Sequence, residues 1–282
     1  MDSLKNTDIS KLKKYLTNQI RVRTPLPNLW RFEVHIADHC NLKCKYCTHY
    51  SNIAKPHFTP IDEFESDFKR ISELTKGKVN IVTILGGEPL LNKEICDYLD
   101  IARHYFSKSK IQLTTNGILL EKMDDSFWNN LKKNEIVLRP TVYPIKINWK
   151  YVEEKCKTNN IKLQYQKEAT HVYKIPIRLD GACNPVDNWC NCLFANNCIF
   201  LKKGRLYTCT QAANIDTFND YYQTEIPNSE ENSIDIYKAN NIQEILEFLS
   251  KPIPFCSHCN FAAKKDGLEW ERGKPTLEEW MY

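Results

Sequence analysis

Three cysteines within eight residues carry the most specific chemistry in this chain. The segment His39-Cys40-Asn41-Leu42-Lys43-Cys44-Lys45-Tyr46-Cys47 spaces its thiols C-x3-C-x2-C on one loop. Thiolates are the usual ligands of iron–sulfur groups, and three of them can hold three irons of a [4Fe–4S] cluster. The fourth iron is then left without a protein ligand, as it must be if a small molecule is to chelate it. A structural zinc site completed by His39 or His49 is the competing use of the same residues.

About 40 residues later the run Val79 to Leu85 ends in Gly86-Gly87-Glu88-Pro89. Two glycines at a strand end let backbone come close to a ligand, and Glu88 can accept a hydrogen bond from an ammonium group. The next such run ends Gln112-Leu113-Thr114-Thr115-Asn116-Gly117, where alternation puts Gln112, Thr114 and Asn116 on one side. Arg139 and Thr141 close the run after that and are candidates for the same ligand.

A second set of seven cysteines lies between Cys183 and Cys259. Cys192 and Cys209 read C-x11-G-x4-C around Gly204, and Cys256 and Cys259 read C-x2-C. The stretch from Cys198 to Cys209 predicts a hairpin turning at Lys203-Gly204. Four thiolates would complete a cluster with no open iron. Cys209, Cys256 and Cys259 are candidates for three of them. Cys192 and Cys198 compete for the fourth place, and Cys183 and Cys190 are spare. A zinc knuckle would use the same ligands. Cys96 and Cys156 fall in helical patterns and read as buried apolar side chains.

The elements that must hold these residues alternate. Strands are expected at Arg31–Ala37, Val79–Leu85, Ile111–Thr115, Ile136–Val142, Ile161–Gln166 and Tyr173–Arg178. Helices are expected from Pro60 (with Thr59 and Asp62 as a capping box), over Glu94–Phe106, Ser126–Lys133 and Trp149–Lys157. Strands alternating with helices imply an α/β fold with a parallel sheet: a partial (β/α)6 TIM-like barrel, its chemistry at the C-terminal strand ends. After Asp180 the composition shifts to Gly, Asn, Asp and Cys. The division expected is an N-terminal extension over 1–28, the barrel over 29–180, and a small cysteine-rich domain over 181–282.

The bulk properties fit. The 282 residues are 42% hydrophobic and 26% charged with a net charge of +4, spread without a basic stripe, so no nucleic-acid partner is implied. No run of 18 apolar residues and no apolar N-terminal core exist, which points to a cytoplasmic chain with no membrane partner. Twelve cysteines in such a chain mean metal more often than disulfides.

On the cysteine loop with its aromatic Tyr46, the Gly-Gly-Glu-Pro turn and the Thr-Asn-Gly strand end, the chain resembles radical S-adenosylmethionine (SAM) enzymes. The second cysteine set resembles the shortened twitch form of the SPASM auxiliary-cluster domain, in which Cys192 fits the family spacing. The resemblance implies a [4Fe–4S] cluster on Cys40, Cys44 and Cys47, with SAM held by Tyr46, Gly86, Gly87, Glu88, Gln112, Thr114, Asn116, Arg139 and Thr141. It implies a second [4Fe–4S] cluster, an oxidoreductase reaction and an electron donor such as flavodoxin or ferredoxin. Reductive cleavage of SAM to a 5′-deoxyadenosyl radical would begin a two-electron oxidation, as in an aminocyclitol dehydrogenase of similar domain plan. Epimerisation, peptide maturation as in sulfatase-maturating enzymes, and a non-enzymatic zinc-stabilised binding module are the alternatives. Some 30 residues precede the first strand, too few for a leader-binding domain of the peptide-modifying members, so a small polar substrate or a short peptide is expected.

Overall fold

The alternating segments build a sheet with two unlike faces. The computed structural model describes residues 25, 27–166, 168–192, 194, 195 and 197–281. Most of the expected extension, residues 1–24 and 26, lies outside them.

Strands β1 (Arg31–His35), β2 (Ile81–Leu85), β3 (Lys110–Thr115) and β4 (Val137–Pro140) run parallel. They alternate with α1 (Ile61–Thr75), α2 (Ile95–Tyr105), α3 (Asp125–Lys133) and α4 (Trp149–Thr158). Phe32, Val34, Ile36, Val82, Ile84, Ile111, Leu113 and Leu138 share one core with Phe68, Leu99 and Trp128 of the helices. The opposite face is largely polar. In register across it, Glu33 pairs with Thr83 and Thr83 with Gln112, while Thr114 pairs with Arg139. A closed barrel would fill this side with branched apolar residues. Here it is a polar bowl.

The helices start where small polar residues can take the free N–H groups. Asp124 accepts from the Phe127 N–H at 3.1 Å, and Asn148 accepts from the Tyr151 N–H at 3.2 Å. The capping box expected at α1 does not form. The Thr59 hydroxyl donates instead to the His35 carbonyl at 2.8 Å, tying the helix start to the end of β1.

Two of the six expected barrel strands are corrected. Residues 161–166 run beside β4 through single bonds, including Gln164 N–H to the Leu138 carbonyl at 2.9 Å, without forming a strand. The strand expected over Tyr173–Arg178 is β5 (His171–Lys174), and its partner is not in the barrel. After α5 (Pro185–Asn191), β6 (Phe200–Lys202) and β7 (Arg205–Tyr207) form the hairpin at Lys203-Gly204, followed by α6 (Thr210–Ala213), α7 (Ile215–Tyr222), β8 (Ser233–Asp235), α8 (Ile242–Leu249), β9 (Lys265–Glu269) and α9 (Leu277–Met281). β5 pairs antiparallel with β9. β6 lies parallel to the free edge of β1, so the sheet order is β4-β3-β2-β1-β6-β7-β8. The cysteine-rich segment thus continues the barrel sheet at its β1 edge. A second core of Tyr50, Ile177, Phe200, Phe218, Ile253 and Trp280 joins it to the first cysteine loop.

Candidate active site

The first cysteine loop leaves β1 and is pinned to the end of β2 by backbone. The Gly87 N–H donates to the Ala37 carbonyl at 2.8 Å, and the Glu88 N–H donates to the His39 carbonyl at 3.0 Å. A Cβ on Gly86 would lie 2.3 Å from the Ala37 oxygen, and one on Gly87 would lie 2.2 Å from the His39 oxygen. Both positions therefore exclude any larger residue. The close approach expected for a ligand is made here by the chain's own loop.

Cys40, Cys44 and Cys47 line one cavity of about 490 Å³ at the mouth of the bowl. Burial pushes the Cys40 thiol up to about 12 and Cys44 to about 11, and raises Cys47. Of the other expected residues, Tyr46, Gly86, Gly87, Thr114, Asn116, Arg139 and Thr141 line the same cavity. Glu88 and Gln112 are not among its lining residues.

Glu88 is fully buried and faces the protein. Its carboxylate accepts from the Thr115 hydroxyl at 2.6 Å, the Asn116 N–H at 2.8 Å and the Leu90 N–H at 3.1 Å. Burial raises its pKa to about 7 against those three bonds. Glu88 thereby fixes the end of β3, and Asn116 in turn reaches the cysteine loop. The Asn116 amide donates to Asn41 at 2.8 Å and to the Cys40 sulfur at 3.6 Å.

The cavity holds residues that the sequence reading missed. Glu33, Thr83, Tyr143, Tyr173, Glu168 and Cys198 all line it. Glu33, Thr83 and Tyr143 had a signal: the alternation that selects Thr114, Arg139 and Thr141 extends to them. Among the described residues, the hydroxyls of Thr83 and Thr114 and the Nε of Arg139, all buried here, have no hydrogen-bond partner. Buried polar groups are rarely left so, and these are placed to bond a polar ligand. Three thiols on one loop beside such groups fit a cluster that shares a site with a polar small molecule.

His49, a possible zinc ligand, is engaged elsewhere. Its Nδ1 lies 2.8 Å from His35 Nε2, and His35 Nδ1 lies 3.1 Å from Asp38. The other oxygen of Asp38 binds His57 at 2.9 Å. Burial, then the neighbouring His35, lowers the His49 pKa to about 3, so its ring is neutral. His39 accepts the His57 N–H at 3.3 Å.

The second set divides cleanly. Cys192, Cys209, Cys256 and Cys259 line one small cavity between α5 and the turn at Pro254–Ser257. Burial raises all three of Cys209, Cys256 and Cys259, with Cys256 at about 12. The Cys192 sulfur accepts the N–H groups of Phe194 and Ala195, each at 3.3 Å. The Trp189 Nε1 and the Thr208 hydroxyl line this cavity, buried and without hydrogen-bond partners among the described residues. Four thiols with free donors around them fit a cluster held entirely by protein. Cys198 faces the first cavity instead, because the β6–β7 ladder ends at the Phe200–Tyr207 pair, short of Cys198 and Cys209. Cys190 packs with Trp189 and Ala195, Cys183 lies outside both cavities, and Cys156 is buried in the main core with Cys96 packed against it. Among the described residues, no three His, Cys, Asp or Glu side chains stand close enough to hold a single metal ion. Among them, too, no helix is long and apolar enough to cross a membrane.

Residues 34–155 match the family model of the Radical SAM superfamily. The GTP 3',8-cyclase of Clostridium botulinum is 37% identical over 90 residues, 32% of this chain and 28% of that protein. A probable GTP 3',8-cyclase of Methanocaldococcus jannaschii is 37% identical over 117 residues, 39% of this chain and 37% of that protein. The chain thus spans about a third of the length of these curated relatives. The crystal structure of BtrN in complex with AdoMet and 2-DOIA superposes with a TM-score of 0.51 at 14% identity, over 84% of this chain and 94% of that one. That likeness is one of fold, a partial barrel with a mostly parallel sheet.

Proposed function

We propose that this chain, whose residues 34–155 form a radical SAM domain, binds SAM in the 490 Å³ cavity and oxidises a small polar substrate there by two electrons. The radical SAM family uses a [4Fe–4S] cluster and SAM, and the C-terminal cysteine-rich region fits an auxiliary-cluster domain. Cys40, Cys44 and Cys47 would hold the first cluster, which would supply the electron for reductive cleavage of SAM. Thr114, Asn116, Arg139 and Thr141 would bind the polar groups of SAM, with Tyr46, Gly86 and Gly87 framing it. Glu33 and Thr83, deeper in the bowl, would orient the substrate carbon toward the radical. We place the barrel at 29–180 and the auxiliary domain at 181–282.

The observation that carries the oxidation is the grouping of Cys192, Cys209, Cys256 and Cys259 around one cavity. Four protein thiolates leave no open iron for substrate, so a cluster there suits electron acceptance. An alcohol or amine carbon would give one hydrogen atom to the radical, then one electron to a cluster on these four thiolates and one proton to solvent, becoming a carbonyl or imine.

A second reading rests on Cys198. Its thiol lines the same cavity as the three loop cysteines, where it can return a hydrogen atom to a substrate radical. The outcome would then be redox-neutral, an epimerisation. One experiment separates the two. The anaerobically reconstituted chain is incubated in D2O with SAM, dithionite and a pool of small polar metabolites. Oxidation gives 5′-deoxyadenosine with a product two hydrogens lighter and no new deuterium at the reacting carbon. Unchanged mass apart from one deuterium at that carbon would replace the oxidation with the epimerisation.

A further inference from the structure

On the outer side of the cysteine loop lies a second, larger cavity of about 740 Å³. Cys40, Ser51 and Asn52 line both cavities and form the wall between them. The outer one is therefore the approach to the first cluster site that does not pass through the space meant for SAM and substrate.

Its charges are unevenly partnered. The acids are Asp38, whose two oxygens are taken by His35 and His57, and the exposed Asp220. The cations are Lys43, Lys55 and Lys274. Among the described residues none of the three is in an ion pair. Lys55 and Lys274 are exposed, and the Lys274 ammonium lies 5.0 Å from the centre of the Tyr221 ring at the cavity rim. Unpaired lysines around an open groove raise the local concentration of anionic partners and orient their approach.

We propose that this groove docks the protein that reduces the first cluster, an acidic one-electron carrier of the flavodoxin or ferredoxin class, with Lys55 and Lys274 meeting its acidic surface over Cys40. Reductive cleavage of SAM consumes one electron per turnover, and a carrier protein is too large for the inner cavity. The inference rests on that shared first step alone and is independent of whether the substrate is oxidised or epimerised.

The test uses the whole 282-residue chain, reconstituted, without SAM or substrate, mixed anaerobically with a reduced flavodoxin. Bleaching of the visible iron–sulfur absorption reports the reduction rate. In K55E/K274E the bimolecular rate falls about tenfold or more at low salt. The deficit shrinks at roughly 0.5 M salt, where charges beyond a few ångströms are screened. K55Q/K274Q falls in between. Iron content, reduction by dithionite and dithionite-driven release of 5′-deoxyadenosine stay at wild-type levels, which separates this test from that of the proposed function. Equal rates with flavodoxin for wild type and K55E/K274E would overturn the docking site, as would a wild-type chain that flavodoxin cannot reduce. An equal loss with dithionite would overturn it as well.

Discussion

The Lys45 ammonium lies 2.8 Å from a carboxylate oxygen of Glu279, 234 residues further along the chain. Around it, residues 271–281 dock on the first cysteine loop. The Lys45 N–H donates to the Glu271 carbonyl and the Gly273 N–H to the Lys43 carbonyl, each at 2.8 Å. The Tyr46 and Tyr50 rings meet Trp280 edge-on at 5.7 and 5.5 Å. Lys43 and Tyr46 hold left-handed backbone at φ 54° and 57°, a strained choice for bulky residues that such contacts can fix.

Trp280 should therefore matter beyond its own core. It is fully buried, and its indole N–H donates to the Tyr222 hydroxyl at 3.1 Å. Trp280→Ala is expected to destabilise the chain by about 3–5 kcal/mol in chemical denaturation. It should also lower iron bound at the first loop, while Trp280→Phe keeps most of both. Full iron at the first loop in a folded Trp280→Ala chain would show that the loop shapes itself.

Iron should partition between the two cysteine sets. Reconstitution should give about eight irons per chain, and Cys44→Ala and Cys256→Ala should each lose about four. Cys44→Ala abolishes reductive SAM cleavage. Cys256→Ala keeps some 5′-deoxyadenosine release and makes no product. About four irons with one zinc per wild-type chain would remove the second cluster from the mechanism.

The fourth ligand of the second set should be Cys192. Cys192→Ala loses the iron of that set, and Cys198→Ala keeps it while altering the chemistry of the inner cavity. The reverse pattern of iron loss would transfer the role to Cys198.

Glu88 gives a pH signature. Its folded pKa is raised from 4.5 to about 7, so the folded chain holds a proton that the unfolded chain releases. The stability linked to this is fully present below about pH 4.5 and is lost as pH rises through 7. The span is about 3 kcal/mol at most. Measured without SAM, wild type should lose stability relative to Glu88→Gln between pH 5 and pH 8. A difference that is flat over that window would mean that Glu88 is ionised throughout.

Much of the inner site is legible from local sequence, because its residues sit at strand ends whose alternation can be counted. Thr114, Asn116, Arg139 and Thr141 reach the cavity for that reason, Tyr143 follows from the same count carried two residues further, and Glu33 from the alternation of β1 itself. The grouping of Cys192 with Cys209, Cys256 and Cys259 is legible only through spacing. What periodicity cannot supply is pairing at long range. β5 gives no hint that its partner is β9, some 90 residues later, or that β6 will take the open edge of β1. Nor does Glu88, an acid beside two glycines, announce that its hydrogen bonds go inward.

The contacts of residues 271–281 also set an order of events in the cell. Ribosomes add about 5–20 residues per second, so the cysteine loop waits roughly 10–50 s between its own synthesis and that of Glu279. During that interval its thiols stand unstrapped, and until Phe200–Lys202 is made β1 also lacks β6 on its free edge. Iron delivered then would meet a loop without its final shape. Cluster insertion at Cys40, Cys44 and Cys47 should therefore follow synthesis of residues 271–281, which pin the loop.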